Sequence, residues 1–425
     1  MITLIGLGVN SGDISYNALL EIKRCNNVYL RTENTLSKCV LDSENISYKT
    51  FDHLFVSSKN FDTLNKKIVS SLLRESQDVC YLVDGAVDED EVCKKIISKR
   101  KNVKIFNGVS RAGHYLSKLG LGGTYTSISA HNMQELTSSI IFPLVIFDID
   151  NVLLCGQLKF ILSDLVGENT ICYLFNGGKV KKLPLYEIDR QKTFDYSTSL
   201  VIPKRELVDK ERYNLDDLME ILRILRGENG CPWDKVQTKE SILKNLIEEC
   251  YELVDAIKLD DEDKMLEEIG DNFMQCSFHS LFAEERNAFT LSDIFTGVCT
   301  KLISRHTHIF GADSATSGED ALNVWEKNKE VEKNITSVTQ NLKDVPSVFP
   351  ALMRAQKVYK RAYKGLKLTD SKEDILKEIS NEKEVGDLLF SLCKLAFITG
   401  VDAEECLTNV TENFISEIAK KDNLA

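Results

Sequence analysis

The hydrophobic period of this chain changes once, near residue 213, and the change limits what each part can fold into. Up to about 203, short β-rich runs alternate with helical patterns: MITLIGLG, DVCYLVDG, NVKIFNG, PLVIFDI and TICYLFNGG are the strand-like stretches. Such alternation predicts an α/β domain over 1–203 with a substantially parallel sheet. The charged stretch PKRELVDKERY, 203–213, reads as the boundary. Beyond it apolar residues recur at spacings of three and four, which predicts an all-α remainder. Breaks at GADSATSGED and KNITSVTQNLKDVPS divide that remainder into a helical unit over 214–332 and a smaller one over 345–420. The fold class is therefore multidomain, α/β followed by all-α.

The two helical units are related. EEIGDNFMQCSFHSLFAEERNAFTLSDIFTGVCTKLIS is echoed by KEVGDLLFSLCKLAFITGVDAEECLTNVTENFIS, each running E-x-G-D, apolar helix, acidic turn, helix. This predicts an internal duplication with a shortened second copy. The second copy keeps Glu384 and Asp387 but has no paired acidic helix ahead of them. Half a metal site does no hydrolysis, so packing or dimer formation is the role expected of it.

Length and composition narrow the function classes. A chain of 425 residues with 43% apolar and 28% charged residues has ample material for two or three cores. The net charge of -12 counts against a protein that coats a nucleic acid polymer, yet allows a single nucleotide held through metal ions. Twelve scattered cysteines without a C-x-x-C pair predict a reducing compartment. No apolar run nears the roughly 20 residues of a membrane span. With no leader-like N-terminus, a cytoplasmic location is expected.

The chemistry concentrates in NLIEECYELVDAIKLDDEDKMLEEIGD, 245–271, which carries eleven acidic residues. Leu243, Leu246, Ile247, Cys250, Leu253, Val254 and Ile257 predict an amphipathic helix with a core-facing stripe, Thr238 being a candidate N-cap. Glu249 and Glu252 are three apart and therefore neighbours on that helix; Glu268 and Asp271 repeat the spacing on the next one. With only LDDED between them, an antiparallel helical hairpin brings the two pairs face to face. Four carboxylates beside a core require a cation, and oxygen-only ligands suit a hard ion: Mg²⁺ first, Mn²⁺ as substitute.

NGCPWDKVQT, LIEECYELVDAI, LEEIGD and KLISRHTHIFG, in that order over about 214–330, resemble a MazG-type nucleoside triphosphate pyrophosphohydrolase. The resemblance implies an all-α core that cleaves nucleoside triphosphates to monophosphate and pyrophosphate. It also implies that Glu249, Glu252, Glu268 and Asp271 are Mg²⁺ ligands, with Glu248 beside them to orient or deprotonate water. Lys264, Lys301 and Arg305 match substrate-contacting basic residues, and Trp325 a tryptophan that lies against a base. Trp233 and Asp234 belong to the CPWDK signature, where Pro232 and Trp233 read as shaping the helix entry. Helical hairpins of this type often need a partner to complete a bundle, so a homodimer is expected, unless the shortened copy fills that place.

At the N-terminus, GLGVNSGD, VYLRTENT, FNGVSRAGHYLSKLG and LPLYEIDR resemble a tetrapyrrole (corrin/porphyrin) methylase domain over about 1–203. The resemblance implies two α/β lobes with S-adenosylmethionine between them, contacted by Gly6, Gly8, Gly85, Gly108 and Ser110. Two departures count against methyl transfer. The first loop lacks the proline of G-x-G-P-G, and the family's G-D-P turn is replaced by VDGAVDEDEV, which crowds Asp84, Asp88, Glu89, Asp90 and Glu91 into one loop. Three readings follow: a triphosphate pyrophosphohydrolase, a methyltransferase whose cofactor binding survives removal of everything after 213, and a nucleotide sensor without turnover.

Overall fold

The structure, a computed structural model, describes residues 1–410 except 11, 36, 138, 333–336 and 382–383; the side chains of 330 and 381 are also outside the description. The last ten residues of the expected 345–420 unit therefore lie outside the described residues. The chain divides into two compact units, Met1–Phe282 and Ala283–Ala425, the division falling inside the helix Glu262–Glu285.

The first unit begins with two five-stranded sheets. The first contains β1 (Ile2–Gly6), β2 (Asn27–Leu30), β3 (Lys49–Thr50), β4 (Val79–Val83) and β5 (Val103–Phe106). Their order is β3-β2-β4-β1-β5 and every pairing is parallel. β1 and β4 are buried along their whole length, as central parallel strands covered on both faces must be. Helices start where a side-chain oxygen meets the first free amides: Ser15 accepts from Ala18, Asn60 from Thr63 and Asp90 from Cys93.

The second sheet contains β6 (Thr126–Ser129), β7 (Leu144–Phe147), β8 (Ile171–Asn176), β9 (Lys179–Pro184) and β10 (Ser199–Ile202), in the order β6-β7-β10-β8-β9. Only β6 and β7 are parallel; the other three pairings are antiparallel. The expectation of a substantially parallel sheet thus holds for the first lobe and fails for the second. Two features account for this: the Gly177-Gly178 turn, both glycines at positive φ, makes β8 and β9 a hairpin in place of a crossover, and β10 lies between β7 and β8 antiparallel to both. Among the described residues, every regular element after β10 is helical.

A buried ionic network lies in the two lobes. Arg31 pairs with Asp90 and also donates to Asn65 at 3.1 Å. Arg111 meets Asp148 at 3.1 Å while its guanidinium lies 4.3 Å over the Phe147 ring. Tyr196 donates to Asp84 at 2.9 Å. Burial pushes the Asp84 carboxyl above its ordinary value, opposed by hydrogen bonds from Thr35 and Tyr196.

In the second unit, Tyr359 of Ala351–Leu366 packs edge-on against Phe390 and Phe397 of Val385–Thr399, with Ile375 and Cys393 buried nearby. Glu384 and Asp387 sit at the very start of Val385–Thr399. By contrast, Glu268 and Asp271 lie about two turns inside their 24-residue helix.

Asp90 both neutralises a buried arginine and caps the helix Glu91–Lys99. Asp90→Ala is expected to destabilise the α/β part by about 3–5 kcal/mol, the scale of a buried pair broken on one side. A urea titration followed by circular dichroism checks this; a loss under about 1 kcal/mol, the level of an exposed pair, contradicts it.

Candidate metal and phosphate site

The hairpin consists of helices Leu243–Leu259 and Glu262–Glu285. Asp260 adopts φ +54°, a left-handed cap that ends the first helix, and the Asp261 amide reaches back to the Ala256 carbonyl at 3.1 Å. The Asp261 side chain then accepts from the Lys264 amide at 3.0 Å and starts the second helix, whose first turn carries Glu262 and Asp263. The acids of LDDED therefore build the bend itself.

The first helix begins at Leu243, and Thr238 does not cap it. Thr238 and Ser241 instead accept from one another's backbone amides, closing a separate turn ahead of the helix. The stripe expected to face a core is also corrected. Ile247 is 51% exposed, Ile257 53% and Leu243 52%, and on the second helix Leu266 and Phe273 are exposed too. The second helix reaches a core only at its far end, through Phe278, Leu281 and Phe282.

Across the bend, Glu249, Glu252 and Glu268 each place a carboxylate oxygen within 4.8 Å of the others. Asp271 is outside that tight group, but its charge raises the Glu249 and Glu268 carboxyls. For Glu249 the first cause is burial, followed by Asp271 and Glu252; for Glu268 it is burial, followed by Glu252 and Glu267. Glu268 is only 5% exposed, and its Oε2 has no hydrogen-bond partner. Lys264, the nearest basic residue named from sequence, pairs with Asp255 at 3.5 Å. An unpartnered carboxylate oxygen amid mutually repelling acids fits a hard divalent cation.

Two residues that the sequence did not single out hold this arrangement. The Asn272 side-chain amide donates to the Glu249 carbonyl at 2.9 Å and to the Glu268 carbonyl at 2.8 Å, tying the helices together at the cluster. Gln275 hydrogen-bonds the Glu249 carboxylate. For Asn272 the available signal was an asparagine inside a helix, where it is a poor helix former; Gln275 gave no such signal.

The other expected residues are placed differently. Glu248 is on the exposed side, paired with Lys244 at 3.1 Å, and is not in the grouped set. Lys301, Arg305 and Trp325 belong to the second unit. There Arg305 is buried, meets Glu332 through two hydrogen bonds of 2.8 and 3.0 Å, and lies 5.0 Å over the Trp325 ring; Lys329 lies 5.1 Å from that ring. Lys301 is exposed.

The N-terminal glycines do come together, against one another. Gly8 and Gly85 exchange backbone hydrogen bonds of 3.2 and 2.9 Å, and a Cβ on Gly6 or Gly108 would meet backbone atoms at 2.4 Å. Glu89 fills the remaining space: its carboxylate accepts from the amides of Ala86, Arg111 and Ala112 and from the Ser110 hydroxyl. The donors that a cofactor would use at the start of Arg111–Lys118 are thus taken by the protein's own acid. These loops do not fit S-adenosylmethionine, and no methyl-transfer step is derived from them. A separate cleft of about 400 Å³ opens beside Asp84, Arg111, His114 and Tyr196.

Residues 237–310 match the family model of the MazG nucleotide pyrophosphohydrolase domain. The chain is 36% identical to the nucleoside triphosphate pyrophosphohydrolase/pyrophosphatase MazG of Thermotoga maritima, covering 49% of this chain and 86% of that one. It is 29% identical to the uncharacterized protein YabN of Bacillus subtilis, over 100% of this chain and 94% of the relative. Over 48% of its length it is similar to the solved precorrin-6Y methylase of Archaeoglobus fulgidus, covering 98% of that chain at 12% identity and a TM-score of 0.35.

Raised carboxyls make folding take up protons. Without divalent metal, stability of the helical part should therefore fall as pH rises from about 4.5, the ordinary glutamate value, through the raised values of Glu249 and Glu268. Thermal melts in chelator across pH 4.5–8 test this; a melting point that rises over that window in wild type but is flat in Glu249→Gln/Glu268→Gln contradicts it.

Proposed function

Because the chain belongs to the MazG nucleotide pyrophosphohydrolase family, we propose that it hydrolyses nucleoside triphosphates to nucleoside monophosphate and pyrophosphate, with Glu249, Glu252, Glu268 and Asp271 holding Mg²⁺. The carrying observation is the convergence of three carboxylates around the unpartnered Glu268 Oε2. Bound there, Mg²⁺ or Mn²⁺ would neutralise the triphosphate and make a coordinated water more acidic.

The chain's own residues position and exchange protons. Asn272 keeps the two acidic ladders opposite one another, and Gln275 orients the Glu249 carboxylate. Water adds at the α-phosphorus as the bond to the bridging oxygen of pyrophosphate breaks. Glu248 stays with Lys244 on the exposed side, so Glu249 is the carboxylate assigned to accept the water's proton. Lys264 and Lys301 are the cations proposed to meet phosphate oxygens; Arg305 and Trp325 brace one another.

The uncovered apolar rows of the hairpin support a homodimer. A contiguous apolar face on paired helices is covered in stable bundles, and a second copy of the same face is the simplest cover. The division into 1–203, 214–332 and 345–420 is proposed on the change of period and the duplication. Among the described residues no helix is long and apolar enough to cross a membrane. All twelve cysteines are free, which supports a reducing, cytoplasmic setting.

Incubation with a panel of triphosphates and Mg²⁺ should release pyrophosphate, and Glu249→Gln should lower the rate by more than about 100-fold, beyond the loss typical of an outer-shell partner. Circular dichroism should show the variant's helices intact. No pyrophosphate from any triphosphate, over varied metal and pH, refutes the reading. For the dimer, Ile247→Asp should shift sedimentation towards monomer; an unchanged coefficient removes this face from the interface.

A further inference from the structure

A cavity of about 310 Å³ opens where the α/β lobes give way to the helical part, and it shares no lining residue with the carboxylate hairpin or the glycine loops. It lies within the first compact unit. Phe142, Leu165, Val166 and Ile202 give it apolar walls, and Tyr213, 54% exposed, adds a ring. Arg205, Lys210 and Arg212 line it too, together with Asp164 and Asp217. Its size and its mixture of apolar walls with a few charged groups are those of a small-molecule site.

The charges are unequally matched. Lys210 is paired with the buried Asp217. Arg205 gives one N–H to the Thr170 hydroxyl at 2.8 Å, and its remaining N–H groups have no hydrogen bond among the described residues. Arg212 has neither a hydrogen bond nor an ion pair among them. Two forked guanidiniums beside one further carboxylate, Asp164, leave a positive charge over, and the planar fork suits the oxygens of a carboxylate or phosphate. The apolar walls and the Tyr213 ring suit a flat organic body carrying that oxyanion.

Asp217 joins this cavity to the hydrolytic part. Its carboxylate pairs with Lys210 and accepts from the Asn214 amide at 3.1 Å, while its own amide donates to the Asn214 side chain at 3.0 Å, closing the cap of Leu215–Arg226. That helix of 12 residues spans about 18 Å. At its far end Arg226 donates to the carbonyls of Asp234 and Gln237 and lies 4.6 Å over the Phe282 ring of the hairpin's second helix. An oxyanion entering beside Lys210 competes with Asp217 for the ammonium, and so acts on the cap of a helix whose other end holds the hairpin. We propose that the cavity is an effector site for an aromatic oxyanion, a phosphomonoester or carboxylate on a flat ring, held by Arg205 and Arg212 and coupled to turnover through Leu215–Arg226. The coupling rests on the reading of the carboxylate cluster as a triphosphate site; the binding does not.

Full-length protein in chelator, which keeps metal off the hairpin, is titrated calorimetrically with phenyl phosphate, benzoate and adenosine monophosphate. Inorganic phosphate, phenol and adenosine serve as counterparts that lack the ring or the charge. At least one aromatic oxyanion should bind one-to-one, at least about tenfold tighter than its counterparts. Binding of the phosphomonoesters without benzoate identifies a phosphate ligand, and the reverse a carboxylate. Arg212→Glu, at an exposed position, and Arg205→Gln should each weaken binding by at least about tenfold. Pyrophosphate release in Mg²⁺ is then measured with and without the tightest probe. The wild-type rate should change by about fivefold or more, whereas Arg212→Glu keeps its basal rate and does not respond.

No heat from any aromatic oxyanion overturns the proposal, as does equal affinity for the counterparts or an affinity unaltered in both arginine variants. A wild-type rate that stays the same with the probe bound overturns the effector role. Binding without pyrophosphate from any triphosphate refutes the hydrolase reading and leaves the site standing.

Discussion

The structure depends on repulsion held in place. Glu249, Glu252 and Glu268 place carboxylate oxygens within 4.8 Å of one another, Asp271 adds its charge, and Lys264, which offsets Glu268, is itself paired with Asp255. Left free, such groups would turn outward. They stay because the bend at Asp260 and Asp261 is made from backbone and side-chain hydrogen bonds, and because Asn272 pins the two helix backbones at the level of the acids. On the proposed reading, a divalent cation bound there would relieve this repulsion.

That hairpin also explains the distribution of apolar surface. Its helices have one side for acids and another for exposed apolar rows. The proposed metal site would require the two antiparallel helices to stay aligned over several turns, and the proposed packing against a second copy would supply such a constraint without crowding the acidic face. The α/β lobes follow a different principle. Their cohesion comes from buried parallel strands and from arginines matched to acids, with Glu89 acting as an internal ligand for amides near the start of Arg111–Lys118.

What the sequence made legible was whatever depends on local period. The i, i+3 acids, the short joint and the loss of strand signal after 213 all follow from 3.6- and 2-residue repeats, and the structure contains each of them. Less legible was anything defined by a partner far along the chain. Asn272 matters through a carbonyl 23 residues away, and Glu89 through amides 22 and 23 residues on. KVKKLP, which is not among the strand-like stretches named from sequence, forms edge strand β9 by pairing with β8. The stripe of Ile247 and Ile257 was visible as apolar; whether a core or a partner covers it is a tertiary property that no spacing encodes.

Manganese titration read by electron paramagnetic resonance addresses the central claim without requiring turnover. Free Mn²⁺ signal should disappear on adding wild-type protein with a saturable stoichiometry, Mg²⁺ should compete it back, and Glu268→Gln should abolish the tight class of sites. Unchanged Mn²⁺ signal in the wild-type protein, or equal binding in Glu268→Gln, would contradict the account.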